Sequence, residues 1–385
     1  MDFNILEQEL KSHFSTLFPT GWARSEVRQT TLDYIVGLYL TTERKNCWTI
    51  AEAMSYSNPQ PFQRLLRCAR ADFEALLARY WELAARYFSV DGSIGILDET
   101  GFEKSGTKSV GVQRQYSGTM GKVDICQVAV YLAASTDKGH LILDRRLYLP
   151  HDWITETEWR KEAKIPDNIS FKTKGQLAIE LLKTQYARGV TFSWMAGDEV
   201  YGDSDELRAY LIAQNQRFVL AASKDTKAWT GRPTLKRRLT KRGFAKPAVW
   251  KRGPKARSLE EIAAAFLPHK WRRIMCEGSQ GQRIFDWAAK RIILGRKGEP
   301  LENLWLLVRR GLDGRMDYYL CHAPSKTTLQ ELVRVANERW RIETSFREAK
   351  DLVGLDQYQV RQWEAWHRHT MLAQVAHLIL ACIQQ

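Results

Sequence analysis

The sequence contains no cysteine pair spaced C-x-x-C; its six cysteines stand at 47, 68, 126, 276, 321 and 382. That spacing excludes a zinc ribbon or a dithiol redox motif. Reduced, mostly buried thiols in a cytoplasmic protein are expected instead. Long apolar runs are also missing. The longest, 371–383, is interrupted by Gln374 and His377. It is too short to span a bilayer, so it reads as a buried helix and no membrane partner is expected. The opening residues, MDFNILEQELK, carry an early acid and no long apolar core, unlike a signal peptide. There is no P-loop, no dinucleotide glycine pattern and no G-x-S-x-G elbow. ATP-driven and serine-hydrolase chemistry therefore has no support. His367 and His369 are one residue apart in a helical stretch and do not share a face as two metal ligands would. Acids are the minority charge, 44 against 58 Lys and Arg, for a net charge of +14. That imbalance points to a polyanionic partner, although a basic enzyme without nucleic acid has the same balance.

What is present is a globular chain: 44% of its residues are hydrophobic and 11% aromatic. At 385 residues it is long enough for two or three domains. Residues 1–90 read as helical. Leu32, Ile35, Val36, Leu38 and Leu40 form one apolar stretch, and Phe62, Leu65, Leu66, Phe73, Leu76, Leu77 and Tyr80 recur near helical spacing. Ser57-Asn58-Pro59-Gln60-Pro61 breaks the chain and opens a helix. Interspersed Arg and Lys suit a DNA-binding head and equally suit any helical cap.

From about residue 90 the texture changes. Short runs rich in Val, Ile and Leu predict strands at 94–97, 113–117, 125–134 and 141–149. A helix over 173–188 follows, then a strand over 191–196, a helix over 205–214 and a strand over 217–222. That order fits an α/β, RNase H-like domain with a mixed sheet. Strand-like runs resume at 271–276, 283–289, 304–309 and 317–321, and the chain is helical again over 328–350 and 362–383. The expected division is a helical N-terminal DNA-binding domain (1–90), the first part of the catalytic domain (91–223), a basic β-rich insertion (224–325) and C-terminal helices of the catalytic domain (326–385).

Three acids stand out. Asp98 and Asp198 each follow a predicted strand, and α/β folds place active sites at strand ends. Glu343 shares a predicted helix face with Arg339, Arg347 and Lys350, at spacings of four and three. Carboxylates gathered in this way could hold Mg²⁺, which takes hard oxygen ligands and needs few of them. Two such ions can activate an attacking oxygen and stabilise a leaving one in phosphodiester cleavage. Each feature also has an ordinary explanation. Asp at a strand end is common turn chemistry, the helix face could be a solvated set of ion pairs, and Glu338 and Glu348 compete with Glu343.

Residues 224–257 hold thirteen Lys or Arg, among them Lys236, Arg237, Arg238, Lys241 and Arg242, against one acid, Asp225. Such a run neutralises phosphates without reading sequence. Trp229 and Trp250 are interleaved with it. They could stack on an unpaired or flipped base, or pack in a core.

The stretches ILDETGFEKSGTKSVGVQRQYSGTMGKVDICQVAVYLA, LYLPHDW, WMAGDEVYG and ERWRIETSFREAKDLVGLDQYQVR resemble, in order, segments of bacterial insertion-sequence DDE transposases. The resemblance runs from about 90 to 385 and is looser before that. It implies an RNase H-like domain with Asp98, Asp198 and Glu343 as the metal-binding triad. It points to the branch with a β-rich insertion between second and third acid. In that branch a Tyr-Arg-Glu-Lys signature surrounds the last acid. Arg339, Glu343 and Lys350 match its spacing, and Ala336 stands where the tyrosine would be. The activity implied is Mg²⁺-dependent cleavage and strand transfer at inverted terminal repeats, with Mn²⁺ able to substitute and two ions per site. The implied partners are double-stranded transposon ends and target DNA, held by a homodimer. Arg339 and Lys350 would hold phosphates, and Lys104, in the loop after Asp98, is a further candidate contact. A domesticated DNA-binding protein and a structure-specific nuclease remain as alternatives.

Overall fold

The computed structural model describes residues 17–19, 21–40, 44–117, 121–236, 243, 249–278, 281–296 and 299–383. Four helices come first among these: α1 (Ser25–Leu40), α2 (Cys47–Ala53), α3 (Gln60–Cys68) and α4 (Phe73–Phe88). Their starts follow local chemistry. The Asn46 side chain accepts from Trp48 N at 2.8 Å while Thr49 Oγ1 accepts from Asn46 N, a reciprocal cap on α2. Proline occupies the first turn of α3, where no amide hydrogen is needed. Asp72 caps α4 by accepting from Ala75 N at 2.9 Å.

The chain then builds β1 (Ser93–Glu103), β2 (Gln113–Ser117), β3 (Lys122–Thr136) and β4 (Gly139–Tyr148). Two short helices, α5 (His151–Thr155) and α6 (Thr157–Ala163), lead to α7 (Lys174–Ala187), β5 (Phe192–Gly197), α8 (Glu199–Gly202), α9 (Asp205–Ala213) and β6 (Phe218–Ala222). β1, β3 and β4 pair antiparallel, while β5 and β6 are added parallel to β1 through helical crossovers. This is the RNase H-like order that the sequence pattern implies.

The insertion supplies β7 (Lys227–Trp229), β8 (Thr234–Lys236), β9 (Val249–Arg252), β10 (Arg257–Ser258), α10 (Leu259–Ala264), β11 (Arg272–Cys276), β12 (Arg283–Arg296), β13 (Glu299–Arg310) and β14 (Met316–His322). It is β-rich, as expected, but most of it does not stand apart. β14 pairs antiparallel with β6, Leu320 opposite Leu220, so the insertion lengthens the catalytic sheet. Among the described residues twelve strands form that sheet, in the order β10-β7-β12-β13-β14-β6-β5-β1-β3-β2, with β4 on β3 and β11 on β12. β8 and β9 form a separate hairpin.

One strand differs from its sequence expectation in a way that matters. The apolar run ends at Leu97, yet β1 continues to Glu103. β3 stays paired alongside it, with Tyr131 opposite Asp98 and Gln127 opposite Phe102. Ladder hydrogen bonds hold the second half of the strand, together with the buried Phe102. Asp98 therefore sits within β1, at the level where its parallel neighbour β5 stops.

The last three helices are α11 (Leu329–Asn337), α12 (Trp340–Val353) and α13 (Trp363–Ile383). α13 is buried along most of its length, from Ala365 to Ile379. It packs against β4 and α12 on one side and against α1, α3 and α4 on the other. An apolar helix with no polar face belongs in a core, and the N-terminal helices close over it. No helix among the described residues is long and apolar enough to cross a membrane.

Several polar side chains inside this packing find backbone partners. The Gln374 amide donates to Leu143 O at 2.8 Å, and Arg145 Nη2 donates to His367 O at 2.7 Å. His369 lies between Tyr34 Oη, 2.8 Å from Nδ1, and Gly354 O, 3.2 Å from Nε2. A carbonyl only accepts, so Nε2 carries the hydrogen and Nδ1 accepts from tyrosine: the ring is neutral. Burial pushes the imidazole down to about 3 from an ordinary 6.5, and the charge of Lys104 adds to the effect. The unfolded chain binds this proton first. The stability that His369 contributes is thus complete above 6.5 and is lost as pH falls toward 3. The thermal midpoint of the protein should fall through that window, and less steeply for His369→Gln. Equal slopes would refute the assignment.

Candidate active site

β1 and β5 run parallel with Leu97 beside Gly197, so Asp98 and Asp198 come to the same level of the sheet. Asp198 leaves β5 and immediately caps α8, its carboxylate accepting from Val200 N at 3.0 Å. Glycine is required four residues later. A Cβ at Gly202 would stand 1.6 Å from the Ala221 carbonyl oxygen, so α8 can lie on β6 only because that position has no side chain. α12 packs on β1 and β4 and carries Glu343.

Two of the three acids share one cation, and the charge of Asp198 acts on it as well. Arg339 Nη1 donates to Asp98 Oδ2 at 2.8 Å, and its Nη2 lies 2.7 Å from Glu343 Oε1. The other Asp98 oxygen accepts from Glu99 N at 2.8 Å. The Asp98 side chain is 9% exposed, Arg339 36% and Glu343 49%. Burial pushes the Asp98 carboxyl up to about 7; Arg339 opposes this, and the charges of Asp198 and Glu343 add to it. Asp198 is raised as well, by burial first, again against the pull of Arg339. Burial would lower Arg339, but the charges of Asp98, Glu343 and Asp198 outweigh it and hold the guanidinium above its ordinary value. These are the energetics of a site with more negative charge than its own residues neutralise.

The donor set is hard oxygen from carboxylates, the kind that Mg²⁺ and Mn²⁺ take. Among the described residues no three His, Cys, Asp or Glu side chains close on a common point as they stand. Arg339 occupies one oxygen each of Asp98 and Glu343. The chemistry of this donor set suits a hard divalent ion.

The competing acids are engaged elsewhere. Glu338 pairs with Arg341 at 2.7 Å and accepts from Ser135 Oγ at 2.6 Å, and Glu348 lies 3.4 Å from His377 Nε2. Of the cations read from the sequence, Arg347 is exposed on α12. Lys350 turns to Gly101 O at 3.0 Å, just beyond the first acid on β1. Two readings need correction. Lys104 is not a free loop cation: its Nζ points inward at the Tyr358 carbonyl, 3.2 Å away, and lies 3.6 Å from that ring's centre. Burial lowers it to about 8. Trp229 is 5% exposed on β7, so core packing, not base stacking, describes it. β8 and β9 carry Lys236 and Trp250, whose side chains lie outside the description, as do Arg237, Arg238, Lys241 and Arg242 altogether.

Sequence reasoning missed Arg309. It lies on β13, ion-paired with Asp317 at 2.8 Å and over the Phe285 ring at 4.7 Å. The charge of Arg339 reaches both it and Tyr319. Only the continuous β6–β14–β13 pairing brings it within electrostatic reach of Arg339, and no local pattern announces that.

If Arg339 is a resident counter-charge, Arg339→Ala should leave a buried Asp98 unpaired. The metal-free protein should lose roughly 1–2 kcal/mol, less than for a fully buried pair because Arg339 is partly exposed. Mn²⁺ should then raise the melting temperature of the variant by more than that of the unsubstituted protein. A smaller rise would contradict the assignment.

Residues 10–282 match a family described as DDE superfamily endonuclease, a region that includes Asp98 and Asp198 and stops before Glu343. Over 171 residues the chain is 29% identical to a protein of Microchaete diplosiphon described as a probable transposase for insertion sequence element IS701. That alignment covers 44% of this chain and 42% of that protein. Two aspartates on neighbouring parallel strands fall inside a family match that runs over most of the chain, and on that ground the chain belongs to the DDE superfamily endonucleases.

Proposed function

We propose that this endonuclease is a transposase: it binds the inverted terminal repeats of an insertion sequence, cuts there, and joins the freed 3′ ends to target DNA. The observation that supports this reading is the bridge from Asp98 through Arg339 to Glu343, with the charge of Asp198 acting on both Asp98 and Arg339. Asp98 and Asp198 would hold shared ions and Glu343 would complete one of them. Two Mg²⁺ ions, or Mn²⁺ in their place, would supply activation of the attacking oxygen and stabilisation of the leaving one.

The chain's own residues do the rest. Arg339, released from Asp98, is free to hold a phosphate beside the scissile bond. Arg347 stands exposed two turns of α12 further on. Lys224, Lys227, Arg232, Lys255 and Arg257 are exposed in the insertion and suit backbone binding along a duplex. Lys236, Arg237, Arg238, Lys241 and Arg242 belong to the same basic run. Joining two ends in one event favours a homodimer assembled on DNA.

Asp98→Asn and Asp198→Asn should each reduce Mn²⁺-dependent cleavage of an end-containing duplex by about a hundredfold or more. Glu343→Gln should do the same. Sequencing the products made with element ends and a target plasmid separates the readings. Joined products support transposition, cuts without joins indicate a nuclease, and DNA binding with no cleavage by the unsubstituted protein leaves a binding protein.

A further inference from the structure

A cavity of about 350 Å³ lies where α2 and α3 meet the segment 354–362 that joins α12 to α13. Its walls are braced by hydrogen bonds. Tyr358 Oη donates to Gln127 Oε1 at 2.8 Å and accepts from Trp366 Nε1 at 2.9 Å. Gln357 Oε1 accepts from Lys45 N at 2.7 Å. Val110 N donates to Arg361 O at 2.9 Å, and Lys104 Nζ to Tyr358 O at 3.2 Å. The last two bonds come from the stretch that follows β1, so the cavity is tied to the strand that carries Asp98. Binding sites are usually formed in advance in this way.

The side chains left open around the cavity are of a particular kind. The Trp48 indole, on α2, is 59% exposed. Gln63 and Arg67, on α3, and Gln359 and Arg361, on the joining segment, are exposed, and Gln362 is half-buried. Among the described residues none of these six side chains has a hydrogen-bond or ion-pair partner, and no acid is among those lining the cavity. An indole can stack on a flat ring, and a carboxamide both donates and accepts, as the edge of a nucleobase does. Guanidinium groups pair with phosphate. An acidic peptide would engage the two arginines but would give the indole and the three carboxamides nothing to match.

We propose that this cavity holds one unpaired DNA base. Trp48 stacks on its face, the carboxamides of Gln63, Gln359 and Gln362 meet its edge, and Arg67 and Arg361 hold the neighbouring phosphates. The inference rests on the reading of DNA as the substrate. A base within a duplex keeps its faces stacked and its pairing edge occupied, so it enters a cavity only when it leaves the helix. The site therefore distinguishes a single strand from a duplex, which a basic surface that tracks phosphates alone does not do.

The test measures binding of the full chain to two labelled probes by fluorescence anisotropy: a single-stranded oligothymidylate and a blunt duplex of the same length. Trp48 is exposed, so Trp48→Ala should keep the melting temperature of the unsubstituted protein. Loss of one base-stacking contact should weaken binding of the single strand about 10-fold, with duplex binding little changed. Trp48→Phe, which keeps a ring, should recover part of the loss. Unchanged binding of the single strand by Trp48→Ala overturns the proposal, as do equal losses on both probes or equal losses for Trp48→Ala and Trp48→Phe. Duplex binding without any binding of the single strand by the unsubstituted protein also overturns it and leaves DNA as the substrate. If neither probe binds, the reading of DNA as the substrate fails and the proposal fails with it.

Discussion

The bridge from Asp98 through Arg339 to Glu343 is the constraint on which the site depends. Asp98 is an acid in a buried strand, with Asp198 beside it and Glu343 above. Left alone, such a group takes up a proton or disrupts the strand. Arg339 answers both problems with two ion pairs of 2.8 and 2.7 Å. It also ties α12 to the sheet, joining residues 241 positions apart. Because Arg339 is partly exposed, its hold on the acids is limited by solvent. A positive charge that sits on the acids while remaining partly in water can be exchanged for another.

The fold serves this arrangement through the sheet. Parallel pairing of β1 with β5 puts the two aspartates level, and antiparallel pairing with β3 carries β1 past the first of them. The same ladder continues through β6, β14 and β13, so the insertion between second and third acid is bonded to the catalytic strands. Arg309 comes within electrostatic reach of Arg339 by that route. On the opposite side α13 fills the space between β4 and the N-terminal helices. The first and last parts of the chain thereby share one core.

Much of this could be read from sequence, for physical reasons. Strands such as 192–197 and 218–222 are buried on both faces and appear as unbroken apolar runs between turn residues. α13 appears as a helix because its apolar run is long, broken only by single polar residues such as Gln374 and His377. The Arg339, Glu343 and Lys350 spacing is a local property of one helix. What stayed hidden depended on partners far along the chain. Asp98, Glu99 and Thr100 end an apolar run and look like a strand end; β3, which pairs with them, makes them strand interior. Lys104 looked like a loop cation, and only the approach of Tyr358 shows where it points. The junction of the insertion with the sheet joins 218–222 to 318–322, a pairing that no local pattern signals.

The central claim is that Arg339 stands where divalent cations bind. A crystal structure of the protein grown with Mn²⁺, with the ion located by its anomalous signal, tests this most directly. The account predicts a peak among the Asp98, Asp198 and Glu343 carboxylates and an Arg339 guanidinium no longer bonded to Asp98. A saturated crystal with Arg339 still on Asp98 and Glu343, and no peak among the three acids, would contradict it.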